Sequence, residues 1–314
     1  MLSVSVVSSF VLCLSSFARP KTGISTAIRN AKNITLQKTL ISEALNIAGH
    51  KNYPEGTGHG YAATIGGDIG SFHHNLLAHY YGRNWSRGGG LDGNGYYAGR
   101  LDIFNNVVFN FGGRVTDGGA MEVNFVGNYY KKGAASKLNY TLSADLEGTG
   151  KGYQAYYFHN NILQEKDGSY ICDGTNDECG RQYTLSNGQQ LTWNVWNSKP
   201  FFESQATIES AQRAYKTVLS DVGCNMPVFD DHDVRMVKEA LNGTYSCMGS
   251  KSQLGGIIDA SSESKEGDYS YYISETRASN FDSDLDGLPD WYEDVIGTNK
   301  NSALNDFSDS NADV

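Results

Sequence analysis

Basic charge, proline and long apolar runs are scarce in this sequence. Its 25 lysines and arginines face 35 aspartates and glutamates, a formal net charge of −10. That balance excludes nucleic acid as the main partner, because a phosphate backbone needs a basic face. It also fits a polyanionic sugar poorly, so such a substrate needs a local basic patch or a bridging cation. Proline occurs 5 times in 314 residues. The apolar stretch 1–18 is too short to span a bilayer, so no membrane role is expected. What is abundant is glycine, at 36 residues, and tyrosine, at 20. This composition suits a β-rich, turn-dense chain better than a helical bundle. The length allows one large domain and a small extra module.

Cysteine is also sparse, at 5 residues. Cys172 and Cys179 bracket a short polar loop, and Cys224 and Cys247 bracket a longer helical stretch. Two local disulfides follow if the protein is exported; four buried thiols are the alternative. Residues 1–18 read as a signal-peptide core ending in a small residue, although a basic leader is missing. They could instead begin a strand of the fold. Asn33, Asn84, Asn139 and Asn242 each open an N-x-S/T sequon, which agrees with secretion and glycosylation.

The middle of the chain repeats loosely. F-H-H-N-L-L, I-F-N-N-V-V, F-V-G-N-Y-Y and F-H-N-N-I-L align Asn75, Asn106, Asn128 and Asn161, with Thr39 at the equivalent earlier position. The intervals, roughly 20–40 residues, lie in the solenoid range. One coil cannot bury its apolar face alone, so coils stack into a continuous core. An inward asparagine at one corner of each coil can bond to those above and below it. An unpaired buried amide costs about 1–3 kcal/mol, so such a ladder works only if repeated. Asparagine also tolerates the left-handed backbone of tight corners. The predicted fold is all-β, a right-handed parallel β-helix. Helices over 203–221, with Ile208, Ala211, Tyr215 and Val218 on one face, and over 231–241 are expected to pack along its outside. Residues 249–275, rich in serine and glycine, read as a linker.

Residues 282–293, D-S-D-L-D-G-L-P-D-W-Y-E, match the twelve-position EF-hand loop without a gap. Asp282, Asp284 and Asp286 take positions 1, 3 and 5. Leu288 offers its carbonyl, Asp290 stands at position 9, and Glu293 closes the loop. Ca2+ is the implied ion, since a hard cation wants six to eight oxygens. The loop resembles the D-x-D-x-D-G-L-P-D-x-x-E loops of secreted bacterial and fungal enzymes. The sequence after it resembles the approach to a second, uncompleted loop, so 276–314 reads as a truncated calcium-binding module.

The segment 71–90, S-F-H-H-N-L-L-A-H-Y-Y-G-R-N-W-S-R-G-G-G, resembles the H-H-N…R-x-P-x-x-R segment of the family 1 polysaccharide lyases, the pectate and pectin lyases. The resemblance continues through 101–113, 123–135 and 214–244 and covers roughly residues 33–244, within a lyase domain placed at 19–248. It implies the parallel β-helix and a calcium-dependent β-elimination on polygalacturonate or pectin, by a monomer. The family's catalytic arginine falls on Arg83 and a substrate-binding arginine on Arg87. The family proline is replaced, giving R-N-W-S-R. Tyr61 stands where some relatives carry a substrate-binding lysine, and Lys51 is the substitute. His73 and His74, adjacent on a strand, face opposite sides and read as structural.

Elimination removes the proton at C5, beside the uronate carboxylate, and breaks the C4–O4 bond. C5–H becomes acidic enough only when cations neutralise that carboxylate. Free arginine has a pKa of about 12.5 or above, so an arginine base implies activity at high pH. The family's catalytic-calcium carboxylates precede N-I-T-L-Q (33–37), yet the first acid here is Glu43. The sequence therefore reads as lacking N-terminal coils, and a pectin-binding relative without catalytic calcium is the alternative. A hydrolase needs paired carboxylates, and Asp68, Asp92 and Asp102 show no such pair.

Overall fold

The computed structural model describes residues 32–49, 52–88, 90–146, 148–186, 190–225, 229–265, 278, 280–285 and 288–303, together with four short strands among the first 26 residues. The chain divides into two compact units, Met1–Asp268 and Tyr269–Val314.

The first unit is mostly β, and three parallel sheets carry it. Sheet one joins Ser3–Val4 (β1), Ile24–Thr26 (β4), Ala63–Ile65 (β7), Ser86–Gly88 (β10) and Asp117–Gly119 (β13). Sheet two joins Phe10–Leu12 (β2), Ile34–Gln37 (β5), Asp68–His73 (β8), Arg100–Phe104 (β11), Glu122–Val126 (β14), Ala155–His159 (β17) and Trp196–Asn197 (β21). Sheet three joins Ser16–Ala18 (β3), Leu40–Ser42 (β6), Leu76–Ala78 (β9), Val107–Phe109 (β12), Tyr129–Lys131 (β15) and Ile162–Gln164 (β18), and Tyr170–Asp173 (β19) adds antiparallel to β18. A separate parallel pair is Leu142–Leu146 (β16) with Arg181–Leu185 (β20). Through β15 the chain visits the three sheets in turn. Strands β1, β2 and β3 fall in the segment that also reads as a signal peptide; they pair with β4, β5 and β6.

The asparagine ladder is present. Asn75 Nδ2 donates to Asn106 Oδ1 (2.9 Å), Asn106 Nδ2 to Asn128 Oδ1 (3.0 Å) and Asn128 Nδ2 to Asn161 Oδ1 (3.0 Å). Each Oδ1 also accepts the backbone N–H of the rung before, and Thr39 N–H donates to Asn75 Oδ1. The left-handed residue at this corner is not the ladder asparagine but the residue before it: Lys38, His74, Asn105, Gly127 and Asn160 all have φ between 50° and 60°. A two-residue corner needs one such residue to turn the chain from sheet two to sheet three.

Between the sheets lies a core that includes Phe72, Trp85, Ile103, Phe125 and Tyr156. The outer face of sheet three is also apolar, and two helices cover it: Ala211–Asp221 (α1) and Asp231–Asn242 (α2). The helix expected from 203 starts later, because Ser210 caps it by accepting from Arg213 N–H and Asn105 grips Glu209 N and O just upstream. Ile208 therefore lies outside the helix and is exposed. Helix α2 runs as expected, capped by Asp230 and ended by left-handed Gly243. Beneath α2 a polar cluster is sealed in: Arg235 forks onto Glu43 (2.8 and 2.9 Å), and His79 Nε2 meets Glu239 Oε2 at 2.9 Å.

Three expectations need correction. Cys172 and Cys179 are bonded, with Cα atoms 5.6 Å apart, but Cys224 and Cys247 do not bridge. Cys224 sits where Gly223 N–H donates to Lys38 O, whereas Cys247 is buried beside Glu43 and Arg235, with its thiol pushed up to about 11 by burial. Much of the linker 249–275 is folded: Ile257 and Ile258 are buried, and Asp259 Oδ2 accepts from Lys251 N and Ser252 N. The sequon residue Asn84 is fully buried, with Nδ2 donating to Arg114 O, so a glycan has no room there. Asn33, Asn139 and Asn242 are exposed.

Candidate functional site

Arg83 stands just before β10, at the corner from sheet three into sheet one, with φ 55°. The strands beside it fix its surroundings. Ser86 registers with Thr64 on β7 and with Asp117 on β13. With period two, Thr64, Ser86 and Asp117 share one face, while Ile65, Arg87 and Gly118 share the other. Arg83 lies against the first row: its Nη1 donates to Thr64 Oγ1 at 3.2 Å. Its guanidinium carbon is 4.7 Å from the Tyr61 ring centre. Arg114 reaches the same ring at 5.1 Å and is anchored by Nε to Asp117 Oδ2 at 2.6 Å. His59 lies with its ring 4.1 Å from that of Tyr61. Burial acts to lower the Arg114 pKa, but the Asp117 carboxylate and the Tyr61 hydroxyl outweigh it and raise the value.

The two arginines of the pair differ in one respect. Asp117 neutralises Arg114. Among the described residues no carboxylate lies within ion-pair distance of Arg83, and its buried Nε has no hydrogen-bond partner. A half-buried guanidinium in this state, next to a second one, is suited to receive an anion.

Arg87 does not belong to this site. It takes the inward row, is buried, and donates to Asp117 O, Gly118 O and Ser143 O while stacking on Tyr156 at 4.8 Å. The expected substrate contact is a core arginine that satisfies backbone carbonyls. Lys51 lies outside the described residues. His73 and His74 are at the sheet two–three corner, away from Arg83. His73 stacks on Phe104, burial lowers its pKa to about 4, and its ring nitrogen meets that of His74 at 2.8 Å. Asp68 is bound by Arg100 (2.6 and 2.9 Å), Asp92 closes a turn, and Asp102 is buried on sheet two, so these acids form no pair near Arg83.

Arg114 escaped the sequence reading, yet its signal was present. It follows Arg83 at the same offset, 31 residues, as Asn106 follows Asn75. Once the ladder sets the register, the two arginines are neighbours across adjacent rungs.

In the second unit, helix Asp290–Ile296 (α3) follows the acidic loop. Glu293 is fully buried, and Asp282 Oδ1, Asp284 Oδ2 and Glu293 Oε2 are turned away from solvent. Asp290 accepts from both N–H and Oγ of Ser283, which lowers its pKa. Leu288 is described; Asp286 lies outside the described residues. Among the described residues no three His, Cys, Asp or Glu side chains are gathered as a metal-holding group.

Among the described residues no helix is long and apolar enough to cross a membrane. Comparison with known proteins found no family model that matches the chain and no curated protein that matches it.

Proposed function

We propose that this chain is a secreted polysaccharide lyase of the pectate-lyase kind, wound as a right-handed parallel β-helix, that cleaves polygalacturonate by β-elimination with Arg83 as base. Through β15 every third strand joins the same parallel sheet, and the asparagine ladder binds successive rungs, which is the arrangement a β-helix requires. The Cys172–Cys179 disulfide agrees with export.

One observation carries the functional reading: Arg83 has no carboxylate partner among the described residues and stands beside Arg114 over Tyr61. A uronate carboxylate set against the Arg114 guanidinium loses part of its negative charge. Its C5–H then becomes easier to remove, because the developing carbanion spreads into that carboxylate. Arg83 in its neutral form takes the C5 proton and becomes a guanidinium, the electron pair forms the C4–C5 double bond, and the C4–O4 bond breaks with its electrons on oxygen. The leaving oxygen acquires a proton from water. Thr64 and Tyr61 fix the Arg83 guanidinium at the edge of the outward row, where an extended chain can lie across β7, β10 and β13.

The described residues beside Arg83 do not make a calcium site, since Asp117 is already bound by Arg114. The separate loop from Asp282 to Glu293 is the proposed Ca2+ site, supported by its match to the EF-hand spacing.

The test follows absorbance of the unsaturated product when the protein meets polygalacturonate at alkaline pH. The absorbance should rise in the parent and fail to rise in Arg83→Ala. Reducing ends without that absorbance would point to hydrolysis instead. Binding without cleavage would point to a pectin-binding relative.

A further inference from the structure

A different face of the first unit holds a second feature. Sheet two carries a polar row in strict register: Thr35, Ser71, Asp102, Asn124 and Tyr157 lie opposite one another on β5, β8, β11, β14 and β17. Period two places this row on the opposite face from the core residues Phe72, Ile103 and Phe125. The segment 200–210 runs over the row. It is fastened by Asn124, whose Nδ2 donates to Phe202 O and whose Oδ1 accepts from Phe201 N.

Two cavities open beneath and beside this segment, of about 500 and 340 Å³, and they share Phe202 and Glu203 as a common wall. Both fall in the size range of small-molecule sites. The smaller is lined by Ser71 and Asp102, which are 8% and 3% exposed. Ser71 Oγ and Asp102 Oδ1 are buried there with no hydrogen-bond partner, although Ser204 and Asn124 hydrogen-bond the Asp102 carboxyl. A buried polar atom left so costs about 1–3 kcal/mol, and most such atoms in folded proteins do find partners. The larger cavity is lined by Tyr157 and His159, whose rings stack 5.7 Å apart.

The lining chemistry selects a ligand class. Carboxylate Oδ1 accepts only, so its missing partner is a donor, and a serine hydroxyl can serve a hydroxyl either way. The walls hold Asp102 and Glu203, with Glu209 paired to Arg213 (2.9 Å), and no lysine or arginine is among the described lining residues. That set repels uronates and phosphates. The aromatic faces of Tyr157 and Phe202 suit the C–H face of a sugar ring. We propose that the cleft between the outer face of sheet two and segment 200–210 is a binding site for an uncharged saccharide, with Asp102 and Ser71 receiving its hydroxyls and Tyr157 and Phe202 flanking its ring. The site is separate from the Arg83–Arg114 pair and does not depend on the lyase reading. It would give the molecule one surface for charged polymer and another for neutral sugar.

Isothermal titration of the full chain with cellobiose and with galactobiose tests this, with digalacturonate as the charged control. A dissociation constant of about 1 mM or tighter is expected for at least one neutral disaccharide. Asp102→Asn and Ser71→Ala should each weaken it by about tenfold. Should either buried variant fail to fold, Tyr157→Ala, at a partly exposed position, should weaken binding to a similar degree. The polygalacturonate assay with Arg83 intact should be unchanged in Tyr157→Ala. No heat from either neutral disaccharide, equal affinity for digalacturonate, or binding untouched by these substitutions would overturn the proposal.

Discussion

Arg83 and Arg87 stand four residues apart and meet opposite fates. A left-handed turn at Arg83 brings the chain into β10 so that Ser86 faces out and Arg87 faces in. Arg87 then satisfies three backbone carbonyls, whereas Arg83 has Thr64 and a ring. The two should separate by assay. Arg83→Lys keeps the fold and lowers elimination by at least about 100-fold, since the planar fork is lost. Arg87→Ala removes the side-chain donors to Gly118 O and Ser143 O and lowers the unfolding free energy measured in urea by about 2–4 kcal/mol. Equal stability of the two variants would refute the inward placement. Asp102 offers a pH test. Burial pushes its carboxyl from the ordinary 3.8 up to about 6. The folded state therefore favours the protonated form, and that stability is full below about 3.8 and lost as pH rises through 6. Asp102→Asn is expected to unfold like the parent near pH 3.5 and to be more stable by about 3 kcal/mol near pH 8. Urea titrations at the two pH values check this; a pH-independent difference would contradict it.

At the scale of elements, the ladder and the helices do separate work. Asn106 donates to Phe72 O, Phe104 O and Asn128 and accepts twice from Asn75, all buried. Asn106→Ala orphans groups on both neighbouring rungs, and a loss of about 3 kcal/mol or more is expected in equilibrium unfolding. Thr39, at the end of the row, gives Asn75 only its backbone N–H while its hydroxyl donates to Gln37 O, so Thr39→Ala should cost about 1 kcal/mol. Comparable losses at both positions would deny the ladder its role. Helix α2 covers sheet three through Met236 and Ala240 but also seals the Arg235–Glu43 pair beneath it. Its start and stop were legible, because an aspartate cap and a glycine stop act within a few residues. The start of α1 was not, because the restraint on Glu209 comes from Asn105, 104 residues away.

For the whole molecule, the two compact units predict two separable responses to ions. If the loop from Asp282 to Glu293 takes Ca2+, calorimetry on the full chain should show binding that Glu293→Gln abolishes while the unfolding of the first unit is unchanged. Retained Ca2+ binding in Glu293→Gln would place the ion elsewhere. Activity lost to EDTA but unaffected by Glu293→Gln would indicate a second ion requirement, distinct from this loop.

The sequence by itself determined the features that repeat or act locally. The aligned asparagines foretold the ladder and, through it, parallel stacking, because one buried amide per rung is stable only when its neighbours match it. The Cys172–Cys179 bridge followed from a short loop. Only the tertiary structure decided which way each side chain faces and what meets it across the fold. Strand register turned Arg87 inward and brought Arg114 to Arg83. Docking of residues 249–265 turned an expected linker into packed structure, and the cover over sheet two buried Asp102. These outcomes depend on contacts between residues far apart in sequence, whose local composition carries no mark of the partner they will meet.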